Sequence, residues 1–151
     1  MDKVPQIQKL AQDLFNQVGL ELQLEVKEDA ENIINVNLLC DNSGILIGYH
    51  GETLLAVQHF LSLATFRQFG EWTHINVDIG DYRLRRQEAL NNLALSAAEK
   101  VVTTGEPFGL PPMSAYERRL VHIALADHPE VETVSEGEGF QRRVVVQPKA
   151  K

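Results

Sequence analysis

The sequence predicts an α+β protein made of two modules. Segments with apolar residues at helical spacing alternate with short segments of apolar–polar alternation. Formal charge divides the chain as well: residues 1–80 hold four Lys or Arg against eleven acids, whereas residues 81–151 hold ten of each. The size and composition, 151 residues with 44% hydrophobic and 23% charged, suit one ordinary domain or two small globular ones. The first module is placed at 1–80 and the second at 81–151, the latter including a long connecting helix at about 81–104.

The first module opens with a helix over 5–18, where Ile7, Leu10, Ala11, Leu14, Phe15 and Val18 recur at helical spacing and Gly19 stops the run. From Glu21 to Glu28, Leu22, Leu24 and Val26 alternate with polar residues, the pattern of a half-buried strand. Ile34, Val36 and Leu38 give a second strand ending near Cys40, and Asp41-Asn42-Ser43-Gly44 is a turn cluster. Ile45-Leu46-Ile47 is a short apolar segment that runs into Gly48-Tyr49-His50-Gly51. Leu54, Val57, Leu61 and Ala64 mark an amphipathic helix to about Arg67, and Trp72, Ile75, Val77 and Ile79 a third strand.

In the second module, Asp81 to Thr104 reads as one helix with Leu90, Leu93, Ala94, Ala97 and Val101 on one side and Arg83, Arg85 and Arg86 clustered in its first turn. Pro107, Pro111 and Pro112 limit 106–113 to an extended segment or an edge strand. Ser114 with Glu117 three residues on is a capping box for the next helix, which His128-Pro129 ends. Val131–Glu136 and Gln141–Gln147 read as two strands joined by Gly137-Glu138-Gly139.

Several function classes drop out. The longest apolar runs, such as Leu54 to Val57, are too short to span a bilayer. The residues from Met1 to Gln6 show no signal-peptide pattern, so a cytoplasmic location is expected. Cys40 is the only cysteine, which excludes an intrachain disulfide and a multi-cysteine zinc site, and it reads as a small buried hydrophobe. His50, His59, His74 and His128 lack metal spacing, and no paired carboxylates stand out. No catalysis, metal or cofactor is expected.

Two constellations remain. The Gly48–Gly51 loop joins a short helix to a longer one. Its glycines allow a phosphate backbone to approach, and the N–H groups and dipole at the following helix N-terminus favour the negative charge. Leu46 and Ile47 would offer an apolar surface to unstacked bases, and Tyr49 a ring for stacking or for packing against its own module. The stretch Ile45-Leu46-Ile47-Gly48-Tyr49-His50-Gly51-Glu52-Thr53-Leu54 resembles the KH motif. The order of elements around it looks like a type II KH domain, α-β-β-α-α-β, which grips single-stranded nucleic acid through that loop. The resemblance implies contacts at Leu46, Ile47, Gly48, Tyr49, His50 and Gly51. Gly51→Asp is then expected to weaken binding with the fold intact. The loop positions that often hold Lys or Arg are Tyr49 and His50 here, so phosphate affinity from the loop is expected to be modest.

Arg118 and His122, four apart, share a helix face with Arg119 at its margin, while Leu120, Val121, Ala124 and Leu125 fall on the remaining arc as core. The histidine adds a donor with a near-neutral pKa. Arg142 and Arg143 add charge nearby, and strand alternation puts only one of them on the helix's surface. The run from Pro112 to His122, continued by Val131–Gly139 and Arg142–Val146, resembles an R-three-H domain, named for its Arg-x-x-x-His signature. A small α/β R-three-H domain behind a KH domain is similar to the Jag family of bacteria, also called KhpB or SpoIIIJ-associated proteins. Members commonly carry a Jag-N domain ahead of these two, and none is legible here. The resemblance implies a non-catalytic, cytoplasmic binder of single-stranded RNA, with single-stranded DNA as a related ligand. Its contacts would lie at Arg118 and His122, and its partner would be a separate small KH protein. Arg119, Arg142 and Arg143 are added from charge geometry. The rival reading is a protein-interaction module on a KH fold with little RNA affinity, favoured by the acidic first module. The oligomeric state stays open.

Overall fold

The computed structural model describes residues 2–41 and 43–151, so Met1 and the Asn42 position of the expected turn lie outside the described residues. The chain divides into two compact units, Met1–Arg83 and Leu84–Lys151.

In the first unit, helix α1 (Val4–Gln17) precedes strands β1 (Gln23–Glu28) and β2 (Ile34–Leu39). A one-turn helix α2 (Gly44–Ile47), a 3-10 turn at Tyr49–Gly51 and helix α3 (Glu52–Phe69) follow, and strand β3 (Ile75–Ile79) completes the sheet. The sheet order is β1-β2-β3, with β1 antiparallel and β3 parallel to β2. Alternation sends Val26, Ile34, Val36, Leu38, Val77 and Ile79 to one face, where they pack with Ile7, Ala11 and Phe15 of α1 and Leu54 and Leu61 of α3. Asn35, Asn37, Asn76 and Asp78 occupy the other face in register, Asn35 opposite Asn76 and Asn37 opposite Asp78.

Two expectations for this unit need correction. Trp72 is not in the third strand: it precedes it, is 65% exposed and stacks on Phe66 at 4.5 Å. Helix α3 is not amphipathic in the expected sense. Leu54, Leu61 and Thr65 face the core, but Leu55, Phe60, Leu63 and Phe66 are exposed, so both sides are apolar.

In the second unit, helix α4 (Tyr82–Thr104), which begins within the first, leads to a two-residue strand β4 (Phe108–Gly109). Helix α5 (Ala115–Leu125) and strands β5 (Val131–Glu136) and β6 (Arg143–Pro148) complete it, in the antiparallel sheet order β4-β6-β5. Leu90, Ala94, Ala97, Ala98 and Val101 of α4 close on Val121 and Leu125 of α5 and on Val131, Val144 and Val146 of the sheet. Gln141 lies in a 3-10 turn, Gly139–Gln141, and not in the last strand. The proline-flanked segment contributes only the two residues of β4.

The capping box is half formed. The Glu117 N–H donates to Ser114 Oγ at 3.2 Å, but the Glu117 carboxylate turns inward. There it accepts from Arg86 Nε at 2.7 Å and Nη2 at 3.2 Å, and this charged pair outcompetes the cap. The arginine cluster at the start of α4 is therefore dispersed: Arg86 is engaged by Glu117, and Arg83 belongs to the edge of β3.

Candidate nucleic-acid interface

The glycine loop is shaped by the fold before any ligand is considered. Gly48 ends α2 with φ 69°, and a Cβ there would sit 2.9 Å from the Thr53 backbone nitrogen. Gly51 caps α3 with φ 85°, and its Cβ would meet the Tyr82 ring at 3.0 Å. A side chain at either position is strained. Gly51→Asp is therefore expected to strain the turn as well as to place a carboxylate there.

Between the glycines, His50 also adopts a left-handed conformation, with φ 52°. Its ring stacks under Tyr49 at 3.9 Å and 24°, and Tyr49 is 63% exposed. The loop thus presents a supported aromatic face. Leu46 is only 3% exposed and belongs to the core, so it is no surface for bases. A four-residue helix has one inward face, and Leu46 takes it; Ile45, 66% exposed, points out instead. Ile47 is partly buried against the core. Glu52 occupies the first turn of α3, where its carboxylate competes with any incoming anion.

Nothing in the sequence hints that β3 is closed along its edge. Val77 N–H donates to Gln58 Oε1 at 3.0 Å, Arg83 Nε donates to the Val77 carbonyl at 2.9 Å, and Arg83 Nη2 reaches Gln58 Oε1 at 2.7 Å. Two side chains thus complete the pairing that an edge strand leaves open.

The second constellation lies at the rim of the α5 core. The buried line along the helix is Glu117, Val121 and Leu125. Leu120 and Ala124, expected in the core, pack against it half-buried, and their outer sides line an open groove with Leu84 and Ile123. Arg118 and His122 flank the buried line and are half-buried, not a solvated face, while Arg119 is exposed.

Each side chain at that rim is fixed. Arg118 Nη1 donates to the Met113 carbonyl at 2.7 Å, and Met113 N–H donates to the Arg142 carbonyl at 3.2 Å. Arg142 Nη1 donates to the Gly137 carbonyl at 2.9 Å, so backbone and guanidinium tie this corner together. Arg143 stands elsewhere. It alternates with Val144, whose side chain enters the core, so it lies on the opposite sheet face, with its guanidinium over Gly109.

His122 Nδ1 lies 2.6 Å from Thr133 Oγ1 on β5. The hydroxyl donates to Nδ1 or accepts from it according to the ring tautomer; in the tautomer where it donates, the ring proton sits on Nε2. Burial, and then the neighbouring Arg118, hold the His122 imidazolium below the usual histidine value of 6.5. The shift favours the neutral ring at pH 7. Thr133 is the partner that sequence reasoning missed as a functional residue. Its alternation with Val131 on β5 was the available signal, since it places Thr133 on the face that meets α5.

Comparison with known proteins follows the same division. A family model described as KhpA/KhpB, KH domain matches residues 6–79, and one for the R-three-H domain matches residues 88–148. The RNA-binding protein KhpB of Clostridium symbiosum is 36% identical over 136 residues, covering 89% of this chain and 61% of that protein. The RNA-binding protein KhpB of Bacillus subtilis (strain 168) is 29% identical over 151 residues, covering 99% of this chain and 72% of that protein. The protein of the same name from Lactiplantibacillus plantarum is 35% identical over 133 residues, covering 88% and 41% respectively. The chain thus spans about three fifths of the Clostridium protein and two fifths of the Lactiplantibacillus one. With a KhpA/KhpB-type KH domain followed by an R-three-H domain over nearly its whole length, the chain belongs to the KhpB (Jag) family.

Proposed function

We propose that this protein binds single-stranded RNA, and single-stranded DNA by the same chemistry, as a non-catalytic cytoplasmic RNA chaperone or regulator. Among the described residues no helix is long and apolar enough to cross a membrane. The observation that carries the reading is the rim of α5: a guanidinium held by the Met113 carbonyl beside an imidazole held by Thr133. With the ring proton on Nε2, both present donors to a phosphate oxygen, and neither loses side-chain freedom on binding. Arg119 and Arg142 add charge. Tyr49, His50 and Ile47 of the glycine loop supply an aromatic and apolar contact for unstacked bases. Leu46 acts from beneath, and Gly48 and Gly51 shape the turn. Arg143 contributes at most long-range charge.

Titration of labelled single-stranded and duplex RNA across a salt series tests this. Preference for the single strand with affinity falling steeply in salt is expected. Equal affinity for both strands, or none at all, refutes it.

A second reading concerns a partner. The exposed Leu55, Phe60, Leu63 and Phe66 of α3, extended by Trp72, form an apolar surface of the kind that marks protein contacts. We propose that it pairs with a second KH domain, from a separate small KH protein. Leu63→Glu should abolish that pairing in a sedimentation experiment; persistent pairing rules the surface out.

A further inference from the structure

Phe140 is 94% exposed, at the tip of the β5–β6 connection, and touches none of the core of its unit. Solvated aromatic surface forfeits the burial that stabilises most phenylalanines, so its placement asks for a reason. The tip holding it is ordered by hydrogen bonds. Gln141 N–H donates to the Glu138 carbonyl at 3.1 Å, Arg142 N–H to the Gly139 carbonyl at 3.3 Å, and Arg142 Nη1 to the Gly137 carbonyl at 2.9 Å. Arg142 also accepts, through its carbonyl, from the N–H of Met113, whose own carbonyl holds Arg118. Phe140 is thus two residues from a guanidinium and is joined through the backbone to the Arg118 rim.

We propose that Phe140 is a stacking residue for an unpaired base of the strand whose phosphates lie on Arg118 and Arg142. The proposal rests on the RNA-binding reading and extends it to a residue outside the Arg-x-x-x-His signature. A lone aromatic ring two residues from a fixed guanidinium suits one base of a single strand, because every base offers a π-face. A protein partner needs a contiguous apolar patch, and the neighbours of Phe140 in sequence are Glu138, Gly139, Gln141 and Arg142. Stacking carries no charge, so it adds affinity without adding to the salt dependence.

The test is titration of the full chain with a short labelled oligoadenylate across a salt series, comparing Phe140→Ala, Phe140→Trp and Phe140→Leu. Full exposure makes all three neutral to folding, which circular dichroism checks. Phe140→Ala should lose roughly ten-fold in affinity at every salt concentration, with Phe140→Trp restoring it and Phe140→Leu not. On an oligomer of abasic nucleotides, wild type and Phe140→Ala should bind equally. In a Trp72→Phe background, the Phe140→Trp emission should be quenched by the oligoadenylate. Unchanged affinity in Phe140→Ala overturns the proposal while the RNA-binding reading stands on the wild-type titration. A loss that persists on the abasic oligomer, or one that alters the salt slope, also overturns it. Loss of a protein partner with RNA affinity intact would assign the tip to protein instead. No binding by wild type refutes the underlying reading as well.

Discussion

The two units dispose of their charged groups in opposite ways. In the KH unit, the loop between Gly48 and Gly51 carries no Lys or Arg, Glu52 follows it, and Arg83 is engaged at the edge of β3. Its solvent-facing helix surface is Leu55, Phe60, Leu63 and Phe66. In the R-three-H unit, Leu84, Ile123 and Phe140 are exposed too, but Arg118, Arg119, His122 and Arg142 stand at or near the surface, with no acidic residue among them. Non-specific affinity for nucleic acid comes mainly from cations near phosphates. We therefore propose that the R-three-H unit supplies the salt-dependent affinity, and the KH unit protein pairing and base contact in addition to that of Phe140. The difference teaches that two motifs of the same expected ligand class can sit in opposite electrostatic settings, one without a nearby cation and one among several.

The largest expected effect removes the second unit from the comparison. Glu117→Ala leaves the Arg86 guanidinium without its bidentate acceptor and should cost roughly 3 kcal/mol of stability. Chemical denaturation followed by far-ultraviolet circular dichroism would read it. A shift below about 0.5 kcal/mol would mean the pair is idle.

Next is the orientation of His122. Thr133→Val removes the hydroxyl partner and should weaken RNA binding several-fold, in keeping with about 1 kcal/mol for one hydrogen bond. Thr133→Ser should restore it. Because the neutral ring is favoured, the salt slope should not move. Nitrogen chemical shifts of the imidazole should report Nε2 protonated in wild type and a mixture of tautomers in Thr133→Val.

The pH dependence is smaller and its sign is fixed. The folded value of His122 is depressed, so the unfolded chain takes up the proton first. Stability is then unaffected by this group above its unfolded value of 6.5 and falls as pH drops below it. His122→Ala should remove that acid sensitivity. Charge-assisted RNA binding by His122 should begin only below about pH 6.5, so the variant's deficit should be alike at about pH 8 and pH 7. A deficit that grows between those values would contradict the depressed titration.

The smallest effect sharpens the KH side. Glu52→Gln removes a carboxylate from the N-terminus of α3 and should raise RNA affinity by up to about 1 kcal/mol where the loop meets phosphate. No gain would confine the loop to base contact.

Local features of this chain were legible in its residues. The glycine loop, the small-residue side of α4 and the Arg118–His122 spacing depend on neighbours in sequence, and each lies where the pattern placed it. What was not legible depends on distant partners. Nothing near Glu117 announces Arg86, 31 positions away, so the reciprocal cap was overestimated. Gln58 and Arg83 meet Val77 only because the sheet brings β3 to them. Trp72 reads as a strand residue by type, yet its ring finds Phe66 on α3 instead of a place in the sheet. Leu46 and Ile45 differ by one position on a four-residue helix, too short for periodicity to say which faces inward.

The most direct test of the division of labour is the salt dependence of single-stranded RNA binding by the full chain and by its Arg118→Ala variant. Arg118→Ala is expected to retain a native circular dichroism spectrum and to flatten the plot of log affinity against log salt by about 0.7, one phosphate's worth for a single strand. An unchanged slope and affinity in Arg118→Ala, with binding lost in Tyr49→Ala, would place the phosphate contacts on the KH loop and contradict the division.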